Sequence, residues 1–157
     1  MRILVATRDR VHLLDPEEGG LRPTPGPGAR PTCLAADREA DRVWSGTEDG
    51  VRRSDDGGES WIDAGLEGEE VTALAADPTE PGAAWAGTEP SAVHRSTDGG
   101  RSWERSGGLL ELPSSSEWSF PPRPETHHVR WIAPHPETAG RLWVAIEAGA
   151  LVTTPDG

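Results

Sequence analysis

The apolar residues of this chain fall in short runs. "RILVAT", "TCLAA", "RVWSGT", "VTALAA", "AAWAGTE", "VRWIAP" and "RLWVAI" are rich in Val, Trp, Leu and Ala, and each is bounded by Gly, Pro, Asp or a charged residue. Runs of this length and composition predict short strands. No window shows the apolar spacing and caps of a helix. The pattern therefore predicts an all-β chain.

The runs also recur in a fixed order. Three stretches, starting at Thr32, Val71 and Val129, each open on an apolar run followed by a turn of Asp, Pro, Glu or Gly. A strand centred on a tryptophan comes next (Trp44, Trp85, Trp143), then a Gly- or Glu-containing loop and another strand. The N-terminal "RILVATRDRVHLLDPEEGG" fits the frame without its first strand, with Ile3 and Leu4 in the places of Val43 and Trp44. A repeat of about 40 residues with four short antiparallel strands is the signature of a β-propeller blade. Each blade buries its faces on its neighbours. The frame divides the chain into a partial blade over residues 1–29, blades over 30–67 and 68–108, an insertion over 109–127 and a truncated blade over 128–157. That is about three and a half blades, where propellers use four to eight. The expectation is a longer ring or self-association through open blade edges.

One turn is written twice. "SDDGGESW" (54–61) and "STDGGRSW" (96–103) share Ser-x-Asp-x-Gly-x-Ser-Trp, and "TTPDG" begins a third. The motif falls between the third and fourth strands of a unit. Asp56 and Asp98 are placed to accept backbone N–H groups two or three residues on. Gly58 and Gly100 supply the positive φ of a hairpin with a bulge. Ser54 and Ser96 add a hydroxyl bond, and Ser60 and Ser102 complete the motif. Trp61 and Trp103 start the outer strand and pack over the hairpin, and Thr154 and Asp156 hold the same places in the third turn. These residues are structural in this reading.

The motif resembles the Asp-box of BNR repeats, and the units are similar to BNR/YVTN-like propellers often labelled sialidase-like or glycosyl hydrolase-like. The resemblance implies a seven-bladed ring whose Asp-boxes lie on the face away from the ligand site. It implies no single activity, because such families share the repeat and not the chemistry.

The opposite face carries the candidate site. Its second-to-third-strand loops hold Arg8, Asp9, Glu48, Asp49, Glu89 and Glu147. Its long insertion carries Trp118 and Phe120 and leads into "THHVRW", with His127, His128 and Arg130 at an innermost strand. Long loops in compact folds are usually functional or disordered. Arginine beside a channel suits forked binding of a carboxylate or phosphate. Glu48, Glu89 and Glu147 are the acids from which a carboxylate-pair glycosidase would be built; the plainer reading is that they are exposed loop acids. The chain contains no tyrosine, which argues against a tyrosine-nucleophile sialidase. Adjacent His127 and His128 would point to opposite faces of a strand. No Cys/His ligand spacing occurs, so no metal or other cofactor is expected.

Composition narrows the partners. The chain has 157 residues and a net charge of −12, and all its basic side chains are arginine. Such acidity argues against nucleic acid. Leu, Ile, Val and Phe make up only about 17% of residues, low enough to suggest disorder, but seven tryptophans supply buried area. A lone Cys33 forms no internal disulfide, and no leader or membrane-length run is seen. The expected location is the cytoplasm. Two functions follow. The first is a scaffold binding a protein, carbohydrate or small anionic ligand; the second is a glycoside hydrolase-like enzyme using the loop carboxylates.

Overall fold

The computed structural model describes residues 3–17, 19–26, 28–37 and 41–157. Among these residues the strands form four antiparallel sheets. Sheet 1 is β1 (Ile3–Ala6), β2 (Val11–Asp15) and β3 (Gly20–Pro23). Sheet 2 is β4 (Pro31–Ala36), β5 (Val43–Thr47), β6 (Gly50–Ser54) and β7 (Ile62–Asp63). Sheet 3 is β8 (Glu70–Ala76), β9 (Ala84–Glu89), β10 (Val93–Ser96) and β11 (Glu104–Arg105). Sheet 4 is β12 (Val129–Pro134), β13 (Leu142–Ile146) and β14 (Leu151–Thr154). Strands follow one another in order within every sheet, as hairpin-linked blades must. The helical content of the described residues is two short 3-10 turns, Leu109–Glu111 and Ser115–Glu117.

The sheets pack face to face in chain order, with the first strands β4, β8 and β12 side by side. One apolar cluster joins sheets 2 and 3 through Trp44, Val51, Leu74, Ala84 and Ala86. A second joins sheets 3 and 4 through Trp85, Val93, Ile132, Leu142 and Val144. Trp44 and Trp85 have essentially no exposed surface. A buried tryptophan removes about 200 Å² from water, on the order of 5 kcal/mol of gross hydrophobic stabilisation. Tryptophan thus supplies buried area that the few Leu, Ile, Val and Phe residues do not.

Two glycines set how close the sheets come. A Cβ on Gly46 would lie 2.9 Å from Cγ1 of Val71, and one on Gly87 would lie 2.5 Å from Cβ of Val129. Each valine belongs to the first strand of the next sheet, so the close approach requires glycine.

The repeated turn is knotted by its aspartate. Asp56 Oδ1 accepts the N–H groups of Glu59 (3.0 Å) and Ser60 (2.9 Å), and Ser60 Oγ donates to Oδ2 at 2.5 Å. Asp98 does the same with Arg101, Ser102 and the Ser102 hydroxyl. The bonds reach three and four residues on, one further than the two or three expected, because two glycines intervene. Ser54 Oγ donates to Asp56 and accepts the Gly58 N–H at 2.7 Å; Ser96 repeats this with Asp98 and Gly100. Thr154 Oγ1 donates to Asp156 at 3.0 Å in the third turn. Hydrogen bonds from Ser60 and Ser102 first, then backbone N–H groups, hold the Asp56 and Asp98 carboxyls far below the usual carboxylate range.

These turns also lock the sheets together. Gly58 and Gly100 take positive φ. Their Cα positions face Leu4 of sheet 1 and Trp44 of sheet 2, and Gly157 faces Trp85 of sheet 3 in the same way. Trp44 Nε1 donates to Gly99 O at 3.2 Å. Trp103 differs from expectation. It lies just before β11 and reaches across to the preceding sheet, where Nε1 donates to Ala64 O at 2.7 Å and the ring rests on Gly65. The indole N–H finds its acceptor across the sheet interface and not within its own hairpin.

Candidate functional site

The site grows from a repeated backbone contact. The residue before a first strand meets the residue after the second: Glu48 N–H donates to Arg30 O, and Glu147 N–H donates to His128 O. Side chains then pair across the same places. Arg30 holds Glu48 at 2.6 Å in sheet 2, and His128 Nε2 lies 2.8 Å from Glu147 Oε2 in sheet 4.

Sheet 3 breaks the rule. Its register places Glu70 directly opposite Glu89, two like charges on paired strands. Facing carboxylates repel, and side chains from elsewhere answer them. Arg123, from the insertion, donates to Glu89 at 2.7 Å and approaches Glu70 at 3.9 Å. His128 Nδ1 lies 3.5 Å from the same Glu89 oxygen. The His128 ring is therefore wedged between Glu89 and Glu147, and Arg130 Nε closes the row 3.3 Å from Glu147. Phe120 packs edge-on against His128, with ring centroids 4.8 Å apart, and under the Arg123 guanidinium.

Burial grades across this row. The Glu89 side chain is 6% exposed and His128 10%, whereas Glu147 is 38% exposed and Arg130 68%. The inner pair is fixed by packing. The outer arginine meets Glu147 through Nε at 3.3 Å and leaves 68% of its side chain exposed. A guanidinium fork binds a planar carboxylate or a phosphate through two parallel bonds.

The structure thus brings together Glu89, His128, Arg130 and Glu147. Glu48 stays with Arg30, in the equivalent loop of sheet 2. His127 and His128 precede β12 and lie outside the strand. His127 turns to the edge of Trp118, with centroids 5.7 Å apart, while His128 joins the acids. Trp118 does not present a binding face. It is 6% exposed, belongs to the cluster between sheets 3 and 4, and covers Gly149 and Ile146. The insertion folds inward because Leu109, Leu112 and Trp118 are its apolar payload and pack on the cluster between sheets 3 and 4. Arg123 and Glu70 were not legible as site residues. The signal was indirect: two glutamates falling opposite each other in adjacent strands need a cation. Among the described residues no group of three or more His, Cys, Asp or Glu could hold a metal, and no helix is long and apolar enough to cross a membrane.

Four sheets of this topology, stacked about their first strands, make the chain a β-propeller structure. It is similar to a computationally designed protein, Ika4, with a TM-score of 0.70 and 13% identity over 99% of this chain and 86% of that one. It is similar to a GH74 xyloglucanase from Xanthomonas campestris, with a TM-score of 0.74 and 16% identity over 99% of this chain and 25% of that one. A YCF48 protein bound to D1 peptide matches with a TM-score of 0.57 and 19% identity over 99% of this chain and 40% of that one. The chain thus spans a quarter to less than half of those two natural proteins. No protein-family model matches it, and no curated protein matches it.

Proposed function

We propose that the chain is a BNR/Asp-box-type propeller segment that binds a protein segment or small ligand bearing a carboxylate, on the face opposite the Ser-x-Asp turns. One observation carries this reading: the acids of the site already have side-chain partners, while the outermost arginine is open to solvent. Arg123 and His128 hold Glu89, and His128 and Arg130 hold Glu147. The recognising group left over is the Arg130 fork. The peptide-bound neighbour supports a peptide as the ligand.

A second reading, glycoside hydrolysis, draws on the placement of Glu89 and Glu147 one imidazole apart and on the GH74 neighbours. Carboxylate-pair hydrolysis needs an acid and a base on either side of the scissile bond. In this site an imidazole fills that gap, which favours binding.

The test is calorimetry with acidic peptides chosen from a printed peptide array, beside an aryl-glycoside and xyloglucan hydrolysis assay. Binding that falls at least tenfold in Arg130→Ala and survives Asp98→Ala supports the proposal. Hydrolysis abolished by Glu89→Gln would replace it with the enzyme reading.

A further inference from the structure

Sheet 4 departs from its neighbours at one position. The first strands of sheets 2, 3 and 4 each carry a bulge, at Thr32, Thr72 and Arg130. The two threonines tie their sheet to the next one. Thr32 Oγ1 donates to Val71 O, and Thr72 Oγ1 donates to Val129 O at 2.7 Å. The arginine at the third bulge meets Glu147.

His128 shares that glutamate with it, at the same atom. Its Nε2 lies 2.8 Å from Glu147 Oε2, the oxygen that Arg130 Nε meets at 3.3 Å. On the other edge of the ring, Nδ1 faces Glu89 Oε2 at 3.5 Å and has no hydrogen-bond partner. Ionised carboxylates accept hydrogen bonds and do not donate them. A neutral imidazole brings one N–H to these two acceptors, and an imidazolium brings two. The charged groups around the ring come from every element that meets there. Arg123 holds Glu89, Glu70 stands across from Glu89, and Arg130 meets Glu147. Phe120 covers the ring edge-on, and the adjacent His127 turns to Trp118. Three glutamates against two arginines leave the row with one net negative charge when His128 is neutral and with none when it is protonated.

We infer that His128 is a positioning residue for ligand recognition: its proton draws Glu147 onto the imidazole and frees Arg130 for the carboxylate of a ligand, so that binding strengthens as the medium becomes more acid. This inference rests on the binding proposal. Two effects act in the same direction. The protonated ring takes the larger share of the Glu147 oxygen, which loosens the Arg130 contact. The row also loses the net negative charge that opposes an anion. Linkage requires the reverse as well, so a bound carboxylate increases proton uptake by His128.

The test is calorimetry at about pH 5.5 and about pH 8, a range in which histidine titrates while most Asp and Glu stay ionised. The probe is the tightest Asp- and Glu-containing peptide of the array, acetylated and amidated so that its titrating groups are carboxylates alone. The parent chain should bind it at least about threefold more tightly at the lower pH. Titration in two buffers of different ionisation enthalpy should show net proton uptake. His128→Gln, whose amide carries no titrating proton, should bind with one affinity at both pH values and take up no proton. Glu147→Gln, at a partly exposed position, is the second variant; it should bind at the higher pH about as tightly as the parent does at the lower. His135→Gln should keep the full dependence. Near-ultraviolet circular dichroism checks that each variant is folded. A parent affinity that is flat with pH would overturn the inference and leave the binding proposal standing. A dependence that persists in His128→Gln, or at full size in Glu147→Gln, would do the same. No binding at either pH would overturn the binding proposal and this inference with it.

Discussion

Replacing Gly87 by alanine adds one methyl group at the interface of sheets 3 and 4. Gly87 does not take positive φ, so the substitution brings no backbone strain and reports on space alone. The new Cβ would lie 2.5 Å from the Val129 Cβ and 3.2 Å from its Cγ2. Val129 has no exposed surface and is β-branched, so its χ1 freedom to retreat is restricted. Overpacking a filled core costs about 1–3 kcal/mol, and this site belongs at the upper end. For a domain of this size, about 3 kcal/mol lowers Tm by roughly 6–12 °C. Thermal melting would be followed by tryptophan fluorescence. Val129→Ala alone should cost about 2 kcal/mol for two lost methyl groups and their cavity. The double variant should cost at least 1 kcal/mol less than the sum, since the new methyl fills the space left by the valine. Gly107→Ala is the control, because its Cβ would meet nothing within 4 Å. Additive losses for Gly87 and Val129 would refute the close approach of the two sheets.

Four further outcomes are expected. Asp98→Ala should lower stability by about 1 kcal/mol, as loss of a turn-capping acceptor does. The Asp98 carboxyl is held below its ordinary value in the folded chain, so its contribution is full above about pH 4 and fades as pH falls toward the folded value; acid melts of Asp98→Ala should show a shallower slope there than the parent. Burial pushes the Cys33 thiol up to about 11, so its alkylation by iodoacetamide at pH 8 should be at least tenfold slower than that of a free thiol. Trp118→Ala should cost about 3–5 kcal/mol in urea unfolding, as removal of a core tryptophan does, and any loss of binding should track the unfolded fraction.

The architecture was legible because its causes are local. Short Val- and Trp-rich runs between Gly and Asp can only be strands, and Ser-x-Asp-x-Gly-x-Ser carries its own hydrogen-bonding partners within five residues. What was hidden depends on neighbours distant in sequence. Trp118 sits in a Pro- and Ser-rich stretch that looks exposed, yet it packs on Gly149 and Ile146, some thirty residues on. Arg123 became a site residue because the register of β8 and β9 sets Glu70 against Glu89, and register was not readable from either strand alone. Glu48 and Glu147 looked alike as loop acids. They part company because the residue opposite one is Arg30 and opposite the other is His128, which already faces Glu89.

The proposed recognition at Arg130 and the structural role of the Ser-x-Asp turns lie on different parts of the chain. Chemical-shift mapping of the nitrogen-15-labelled chain with an acidic peptide from the array separates the two most directly. The expected shifts centre on Arg130, Glu147 and His128, with the amides of Ser60 and Ser102 unmoved. Shifts centred on the turns at Asp56 and Asp98, with Arg130 silent, would contradict the proposal.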